Sequence, residues 1–290
     1  MEPLVIVNPV SGRGKTVKTL PAVRERLVEL GLDAEIRVST GPDDPPMWAA
    51  EAAACGRPVI AFGGDGLVSD VLNATAGTVP FGILPSGTGD DFARVAGIPR
   101  DPVAACDVIA RGETRTFDCG RMTIRDGARR FGCIAAVGFD SEVNRRANEI
   151  RWGSGTAVYV AAVLATLVRW HPATFTVDVD GDEFEVRGWF TAVGNGQSYG
   201  GGMRICPGAD PHDGLLDVTV LGDVGKLEFL RTFPRVFRGT HVTHPAVTTL
   251  RGRKVTVSAD RPFRCFADGE DTCGVPVTIE AERDTLEVFV

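Results

Sequence analysis

The sequence predicts an amino-terminal α/β domain with a parallel sheet, followed by a β-rich carboxyl-terminal domain. In roughly the first 120 residues, short apolar runs alternate with stretches of helical periodicity, which is typical of a parallel sheet. From Arg115 onward the apolar runs are short, often alternate with polar residues, and rarely have a helical stretch between them. We therefore expect domains at 1–120 and 121–290 with an active-site cleft between them. A return of the last strand or tail to the first domain stays open.

The elements of the first domain follow one another in strand–helix order. Buried strands are predicted at 4–7, 34–38, 58–62 and 81–84. Helices are predicted at 16–30, 47–55, 67–76, 90–96 and 101–111. In the second domain, strand signals occur at 131–137, 175–179, 184–186, 189–193, 216–220, 255–257 and 275–279. Helical patterns interrupt these strands at 140–170 and 223–238.

Composition excludes several classes of protein. The 290 residues are 43% hydrophobic and 24% charged, as in a globular chain, and the formal charge of −7 argues against nucleic acid as a partner. The seven cysteines are scattered without a C-x-x-C pair, so neither a disulfide framework nor a zinc site is expected. No signal peptide is visible, and the apolar run at 156–168 is too short to span a bilayer. We expect a cytoplasmic protein.

The first glycine-rich loop, Asn8-Pro9-Val10-Ser11-Gly12-Arg13-Gly14-Lys15-Thr16, lies between a predicted strand and a predicted helix. Such turns present backbone N–H groups at a helix N-terminus, which suits them to bind phosphate. The ending is similar to that of a P-loop, but Pro9 occupies the position of that motif's first glycine. The loop is therefore not a Walker A motif, and an ordinary turn is an equal alternative.

Two more glycine-rich loops follow the third and fourth predicted strands. The third strand leads into Gly63-Gly64-Asp65-Gly66, where the glycines let the backbone approach a polyphosphate and the carboxylate can face a metal or a hydroxyl. The fourth leads into Leu84-Pro85-Ser86-Gly87-Thr88-Gly89-Asp90-Asp91-Phe92-Ala93-Arg94. Each loop alone could be a tight turn or a helix cap. Three such loops at one sheet edge predict a site for nucleotide phosphates.

These three loops, taken together, resemble the catalytic-domain family of diacylglycerol kinases. That family includes bacterial diacylglycerol kinases and related lipid kinases, and also sphingosine and ceramide kinases. The second half of the chain is similar to the bacterial members in the stretches at 194–196, 199–203, 207, 213–218, 239–241 and 268–270. The resemblance spans essentially the whole chain, and it implies a fold like those of NAD kinase and diacylglycerol kinase.

The resemblance implies which residues bind ATP and which carry out catalysis. The implied ATP contacts are Asn8, Pro9, Ser11, Gly12, Thr40, Gly63, Gly64, Asp65, Gly66, Leu67, Asp70, Gly87 and Thr88. The implied catalytic residues are Asp65, Asp268 and Glu270, of which Glu270 is the base that takes the proton from the lipid hydroxyl. A structural Mg²⁺ site is implied at Asp213, with the carbonyls of Asp210 and Leu215. Asp213-Gly214 and Asp268-Gly269 are also typical of hairpin turns.

Three positions depart from the family pattern. Leu67 stands where the family usually has Thr, Asp70 where it has Glu, and Asp90 where it has Asn. Leu at the first of these positions also occurs in the sphingosine-kinase branch. Loss of one hydroxyl near a phosphate removes about 1 kcal/mol of hydrogen bonding.

The resemblance implies an Mg²⁺- and ATP-dependent kinase that acts on diacylglycerol or a related lipid. A sphingoid-base, ceramide, phosphatidylglycerol or phosphatidylinositol kinase is the first alternative, and a catalytically weak ATP- or lipid-binding module is the second. NAD kinase shares the Gly-Gly-Asp-Gly loop but not the motif at 84–94. We expect peripheral contact with the inner membrane face, and a homodimer stays open. Residues 156–168 are expected to form a core helix, with an acyl groove as the alternative. Arginines that could meet lipid headgroups, or equally lie on solvated helix faces, are Arg145, Arg146, Arg151, Arg231, Arg235 and Arg238.

Overall fold

A computed structural model of the chain describes residues 2–125, 127–149 and 156–290, so that Arg151 lies outside the described residues. The strands are β1 (Leu4–Val7), β2 (Glu35–Val38), β3 (Val59–Gly63), β4 (Phe81–Pro85), β5 (Thr114–Ile124), β6 (Gly127–Phe131), β7 (Ile134–Gly138), β8 (Ala173–Val179), β9 (Asp182–Gly194), β10 (Leu216–Gly222), β11 (Val247–Gly252), β12 (Lys254–Ala259), β13 (Arg264–Ala267), β14 (Glu270–Gly274) and β15 (Val277–Phe289). The α-helices are α1 (Lys15–Glu29), α2 (Asp44–Ala54), α3 (Asp65–Thr75), α4 (Asp91–Val95), α5 (Pro102–Arg111), α6 (Phe139–Glu149), α7 (Thr156–Arg169) and α8 (Lys226–Thr232).

The chain forms two compact units. The first comprises Met1–Cys119 together with Glu282–Val290, and the second comprises Gly120–Ala281. The last nine residues of the chain therefore belong to the first unit. No helix among the described residues is long and apolar enough to cross a membrane.

The first unit contains a parallel sheet in the order β2–β1–β3–β4. Near its end, β15 adds one further parallel contact at Val288, which pairs with Phe81 of β4. Strands β1, β3 and β4 are buried along their whole length, because helices cover a parallel sheet on both faces. The predicted α/β architecture and its four strands are confirmed.

Local sequence explains where the helices of the first unit begin and end. Helix α1 begins after Gly14, which is left-handed at φ +79°, and buries Val23 and Leu27. Helix α2 begins at Asp44, three residues before the predicted start. Its first turn contains prolines, which are tolerated there because the N–H groups of a first turn have no partner within the helix, so the missing N–H costs no hydrogen bond. Helix α5 begins at Pro102, after its N-cap Asp101, whose carboxylate accepts the N–H of Val103 at 3.2 Å.

The second unit is an antiparallel sheet in the order β14–β13–β7–β9–β8–β12, followed by the first residues of β15. Strand β9 pairs also with β10, which pairs with β11. The predicted β-rich architecture is confirmed, but its strands differ in detail. The predicted strand at 131–137 is two strands, β6 and β7, separated by a turn at 132–133. The predicted segments at 184–186 and 189–193 form one continuous strand, β9.

Aromatic side chains pack helix α8 against the second sheet. Phe229 of α8 stacks on Trp189 of β9 with 4.5 Å between the ring centroids. Phe139, the first residue of α6, contacts both rings at 5.1 and 5.2 Å. Such pairs each stabilise the fold by about 1 kcal/mol beyond the apolar area that they bury. They hold α6 and α8 on one face of the sheet, where a pocket lies.

Candidate active site

The four parallel strands of the first unit bring the glycine-rich loops to one edge of the sheet. The strand pairing continues one residue past the ends of β1 and β4. The Asn8 N–H donates to the Phe62 carbonyl oxygen at 3.0 Å, and the Ser86 N–H donates to the Gly63 carbonyl oxygen at 2.8 Å. The chain order changes direction between β1 and β3, and the carboxyl edge at such a point is where open α/β sheets bind ligands. The structure therefore brings together the loops that sequence analysis predicted for ATP.

The first loop packs directly against the other two. The Ser11 hydroxyl accepts a hydrogen bond from Gly64 N–H at 3.2 Å, and Thr16 Oγ1 donates to Ser86 Oγ at 2.8 Å in a buried contact. Gly12 is left-handed at φ +54°, and a Cβ at this position would lie 2.2 Å from the carbonyl oxygen of Ser86. Only glycine fits at position 12, because a side chain would push the first loop away from the third.

Asp65 connects the second loop to the third. Its Oδ1 accepts the backbone N–H of Asp91 at 2.7 Å, and its Oδ2 accepts that of Asp90 at 3.0 Å. These N–H groups open helix α4, so Asp65 acts as an N-cap supplied from another element. Burial raises the pKa of the Asp65 carboxyl, and the nearby Asp90 carboxylate raises it further, against the lowering effect of these N–H groups. Asp65 thus holds the start of α4 in place within the first unit, and its implied role in catalysis stays a prediction.

The third loop has little room for side chains. A Cβ at Gly87 would lie 2.8 Å from both Asp90 Oδ1 and Gly64 Cα. The Arg94 guanidinium donates to the carbonyl of Gly89 at 3.1 Å and so ties α4 back to the loop that precedes it. Thr88, at the tip of the loop, is exposed and can reach a ligand.

Asp90 adopts a conformation that explains why an acid can replace the family's Asn. Its φ is +50°, a left-handed value that Asn and Asp tolerate better than other side chains. Its Oδ1 accepts Gly87 N–H at 2.8 Å, a bond that an Asn oxygen would also make. The additional charge faces Arg100, whose guanidinium lies 3.5 Å from Oδ2. The departure at position 90 therefore preserves the geometry of the loop.

Leu67 and Asp70 lie on helix α3 behind the second loop. Leu67 is buried, and a Cβ added at Gly63 would lie 2.8 Å from its Cδ2. In this chain the side chain at position 67 packs into the core. Leu67 has no polar side-chain group, so the predicted contact with ATP cannot be a side-chain hydrogen bond. Asp70 is half-buried on the same helix.

The loop after β2 holds Thr40 through an acidic residue that sequence analysis missed. The Asp44 carboxylate accepts the backbone N–H of Thr40 at 2.7 Å and its hydroxyl at 2.8 Å, and the N–H of Gly41 at 3.1 Å. The hydrogen bond from Thr40 N–H lowers the pKa of the Asp44 carboxyl. The local signal that could have revealed it is an acid at the start of a helix, four residues after a hydroxyl residue in the preceding loop.

In the second unit, Asp268 and Glu270 lie on the β13–β14 hairpin. Asp268 and Gly269 form its two-residue turn, with φ of +49° and +86°. The Asp268 carboxylate accepts the N–H groups of Gly132, Cys133 and Ile134 at 2.8, 3.0 and 3.1 Å. These bonds hold the turn that separates β6 from β7 and split the predicted strand. Asp268 therefore positions this turn, and the catalytic role that the resemblance implied for it stays a prediction.

Glu270 is the first residue of β14 and pairs with Ala267 across the hairpin. Its side chain is exposed, and it forms no hydrogen bond or ion pair with any other described residue. An exposed carboxylate on a rigid two-residue hairpin can accept a proton from a bound hydroxyl without first breaking a bond to the protein.

The segment at 210–215 is a turn in which the Asp213 carboxylate already accepts hydrogen bonds from the protein. Asp213 Oδ1 accepts the N–H of Leu215 at 2.9 Å, and its Oδ2 accepts a guanidinium N–H of Arg251. The exposed Asp210 carboxylate accepts the N–H of His212 at 3.1 Å. Over 2–125, 127–149 and 156–290, no group of three or more His, Cys, Asp or Glu side chains is arranged to hold a metal ion. The hydrogen bonds accepted by these two carboxylates are those of a turn that Arg251 stabilises. The implied Mg²⁺ site stays a prediction.

A pocket of about 670 Å³, open to solvent, lies within the second unit. Its walls are mainly apolar and include Val163 of α7, Phe229 of α8, and Met203, Leu221, Phe233 and Val236. Two polar pairs lie in this wall: the Tyr199 hydroxyl donates to the buried carboxylate of Asp140, and His244 Nε2 lies 3.1 Å from Glu228 Oε1. The mainly apolar lining suits an apolar chain that carries a polar group. Sequence analysis gave an acyl groove only as the alternative to a core helix for residues 156–168, and it missed Asp140, whose partner lies 59 residues along the chain.

Comparison with known proteins agrees with this arrangement. Residues 2–122 match the family model of the diacylglycerol kinase catalytic domain, and residues 133–290 match that of the YegS C-terminal NAD kinase beta sandwich-like domain. The chain is 42% identical over 289 residues to a diacylglycerol kinase of Mycobacterium tuberculosis, which covers 98% of this chain and 93% of that protein. It is 31% identical over 267 residues to a "Probable lipid kinase YegS-like" of Pseudomonas fluorescens, which covers 90% and 86%.

Solved structures show the same fold. A crystal structure of a diacylglycerol kinase from Bacillus anthracis has a TM-score of 0.76 at 19% identity and covers 99% of this chain and 96% of that one. An NAD kinase from Archaeoglobus fulgidus in complex with ATP has a TM-score of 0.52 at 15% identity and covers 99% and 93%. The family resemblance and the fold predicted from the sequence are thereby confirmed: the chain belongs to the diacylglycerol kinase and YegS-like lipid kinase family.

Proposed function

We propose that this protein transfers the γ-phosphoryl group of ATP to the hydroxyl of diacylglycerol or a closely related lipid. The observation that carries the proposal is the packing of three glycine-rich loops at the carboxyl edge of a parallel sheet in a chain of this family. Backbone N–H groups at such an edge bind phosphate without the bulk of side chains.

The residues of the first unit bind and orient the nucleotide. The Ser11 hydroxyl and Gly12 hold the first loop against the others, and the Thr40 hydroxyl lies at the same sheet edge. Asp65 keeps the N-terminus of α4 in place through two backbone hydrogen bonds. Mg²⁺, bound with ATP, supplies positive charge that offsets the charge developing on the transferred group. Catalysis on this account depends on positioning and electrostatics, with no covalent enzyme intermediate.

The residues of the second unit bind the acceptor. The apolar pocket takes an acyl chain, and each buried methylene contributes about 0.8 kcal/mol to binding. Glu270 is the general base, because its exposed carboxylate is free among the described residues to accept the hydroxyl proton. Asp268 supports Glu270 by fixing the turn that precedes it.

The protein reaches its lipid, on this proposal, through peripheral contact with an anionic bilayer. Helices α7 and α8 and the short helix Phe233–Arg238 expose large apolar side chains, while Phe229, Phe233 and Val236 line the pocket. The exposed apolar residues are Leu164, Val168, Leu227, Leu230 and Phe237. Arg231 and Arg238 are exposed among them and complement acidic headgroups.

Vesicle binding tests this contact. Leu227→Asn should weaken co-sedimentation with vesicles of phosphatidylglycerol and phosphatidylcholine by at least about threefold, because the side chain is 72% exposed and leaves apolar contact with the bilayer. Val28→Asn, equally exposed on α1, is the matched control and should bind as the wild type does. Equal binding of both variants would remove α8 from the docking surface.

A lipid panel tests the acceptor. Transfer from labelled ATP is measured with diacylglycerol, phosphatidylinositol, phosphatidylglycerol, sphingosine and ceramide under the same conditions. The proposal expects the highest kcat/KM with diacylglycerol. Preference for a sphingoid base or ceramide, or for a phospholipid, would change the assigned acceptor, but the proposal that the protein is a kinase would stand. Binding of ATP without transfer to any of the five would instead indicate a binding module.

A further inference from the structure

Two cysteines face each other across the β13–β14 hairpin. Cys265 of β13 and Cys273 of β14 are direct partners in the antiparallel register. Cys265 is fully buried, with its Sγ 3.9 Å from the Sδ of Met122, whereas Cys273 is half-buried and accessible from solvent. The pair thus combines one accessible and one protected sulfur.

The surroundings of Cys273 favour its thiolate. A hydrogen bond from the Cys265 thiol lowers the pKa of Cys273 to about 7, and the Thr272 hydroxyl and the Arg264 guanidinium also lower it. Burial and the Asp271 carboxylate act in the opposite direction, but Asp271 is itself paired with Arg264 at 2.6 Å. The same hydrogen bond raises the pKa of Cys265 well above its usual value. The buried Cys206 shows the opposite effect, because burial raises the pKa of its thiol to about 12.

We propose that Cys273 is a site of oxidation by hydroperoxides and that Cys265 is its resolving thiol. With hydrogen peroxide, the Cys273 thiolate attacks one oxygen, so that an S–O bond forms and the O–O bond breaks; the departing hydroxide takes up a proton from solvent, in place of the one that the thiol lost, and becomes water. The Cys265 sulfur then attacks the resulting sulfenic acid, so that an S–S bond forms and the hydroxyl leaves with the thiol proton as a second water. Two thiols are oxidised by two electrons in total, and one hydrogen peroxide is reduced to two waters.

The geometry allows the disulfide without rearrangement of the sheet. Directly opposed residues of an antiparallel pair have Cα atoms about 4.5–5.5 Å apart, within the range of about 4.4–6.8 Å that disulfides need. The register shift beside Cys265 leaves the pair itself intact. The bridge would close the hairpin that carries Asp268 and Glu270, and it does not depend on the kinase activity proposed above.

Peptide mapping of the full chain tests the proposal directly. Trypsin cuts after Arg264 and Arg283, so a single peptide, Cys265–Arg283, contains both cysteines. After brief treatment with hydrogen peroxide near pH 7 and alkylation under denaturing conditions, this peptide should be two hydrogen atoms lighter. Its uptake of two alkyl groups should fall by about tenfold and return after treatment with dithiothreitol. The exposed Cys55 is the internal control and should remain alkylated under the same treatment.

A variant assigns the two roles. In Cys265→Ala the sulfenic acid at Cys273 cannot be resolved, so dimedone should label Cys273, and the lighter peptide should be absent. Labelling should need longer exposure to peroxide than wild-type oxidation does, because the hydrogen bond that favours the Cys273 thiolate is lost. If peroxide leaves both cysteines of the wild-type peptide open to alkylation, or oxidises Cys55 first, the proposal is wrong. The wild-type map decides the question by itself if the variant fails to fold.

Discussion

Asp65 Oδ1 accepts the backbone N–H of Asp91 at 2.7 Å, so that the second glycine-rich loop holds the first turn of helix α4. Its other oxygen holds the N–H of Asp90 at 3.0 Å. An aspartate predicted to lie near phosphate and metal therefore organises the third glycine-rich loop. On the function proposed above, its effect on phosphoryl transfer is transmitted through the position of that loop.

Asp65→Asn should lower both stability and transfer. The amide keeps one acceptor and turns an NH₂ group toward a backbone N–H, which costs about 1–2 kcal/mol of unfolding free energy. We expect kcat to fall by at least about tenfold because α4 and Thr88 shift. Urea denaturation and transfer kinetics measure the two effects. Asp33→Asn, at an exposed position, is the control, and wild-type turnover in Asp65→Asn would remove Asp65 from the mechanism.

Gly12→Ala and Gly14→Ala form a matched pair. Both glycines are left-handed, at φ +54° and +79°, but only Gly12 has an atom, Ser86 O, within 3 Å of an added Cβ. The strain of a left-handed alanine costs each variant about 1 kcal/mol. Gly12→Ala should lose at least about 1 kcal/mol more and raise KM for ATP, because the clash separates the first and third loops. Equal losses in the two variants would contradict the close packing of these loops.

Asp44→Ala should release the loop that contains Thr40. The pKa of Asp44 is lowered, so its stabilising effect is complete above the ordinary value of about 4 and is lost as pH falls through the lowered value. Amide exchange at Thr40 and Gly41 should therefore be slow near neutral pH in the wild type and fast in the variant. KM for ATP should rise about threefold. Glu51→Ala on the same helix is the control, and slow exchange in Asp44→Ala would contradict the role of this carboxylate.

Glu270→Gln and Asp268→Asn should separate the loss of a general base from the loss of the hydrogen bonds that hold the turn at 132–134. We expect Glu270→Gln to lower kcat about a hundredfold without changing stability or KM for ATP, because the exposed side chain holds no other described residue. Asp268→Asn should lower unfolding free energy by about 1–2 kcal/mol as well, because its carboxylate accepts three N–H groups. Glu183→Gln, exposed on β9, is the control. A raised KM for ATP with unchanged kcat in Glu270→Gln would show that Glu270 is not the base.

Val163→Phe should narrow the pocket in the second unit. Val163 is 5% exposed and lines the pocket, so a larger ring occupies space expected for an acyl chain. We expect kcat/KM for a long-chain acceptor to fall about tenfold relative to a short-chain acceptor of the same headgroup. The ratio between the two acceptors corrects for any general loss of folding. An unchanged ratio would place the acyl chain elsewhere.

Patterns local to a few residues predicted the fold well, whereas contacts across long sequence separations were not predictable. The strands at 4–7 and 81–84 follow from short apolar runs, and the loop at 63–66 follows from its glycines and its place after a strand. The partner of Asp65 is 26 residues away, and that of Asp268 is 134–136 residues away. No local pattern marks such pairs, so the sequence did not reveal that Asp268 holds the turn at 132–134, and the catalytic role implied for it by the resemblance stays a prediction.

Transfer of label from two forms of ATP tests the central claim most directly. The protein is incubated with diacylglycerol in mixed micelles and with ATP labelled at either the γ- or the α-phosphate, with Mg²⁺ or with excess EDTA. We expect label in the lipid extract only from γ-labelled ATP, only with Mg²⁺, and at least about tenfold less with Glu270→Gln. Tight binding of ATP with no label in any lipid from either form would contradict the account.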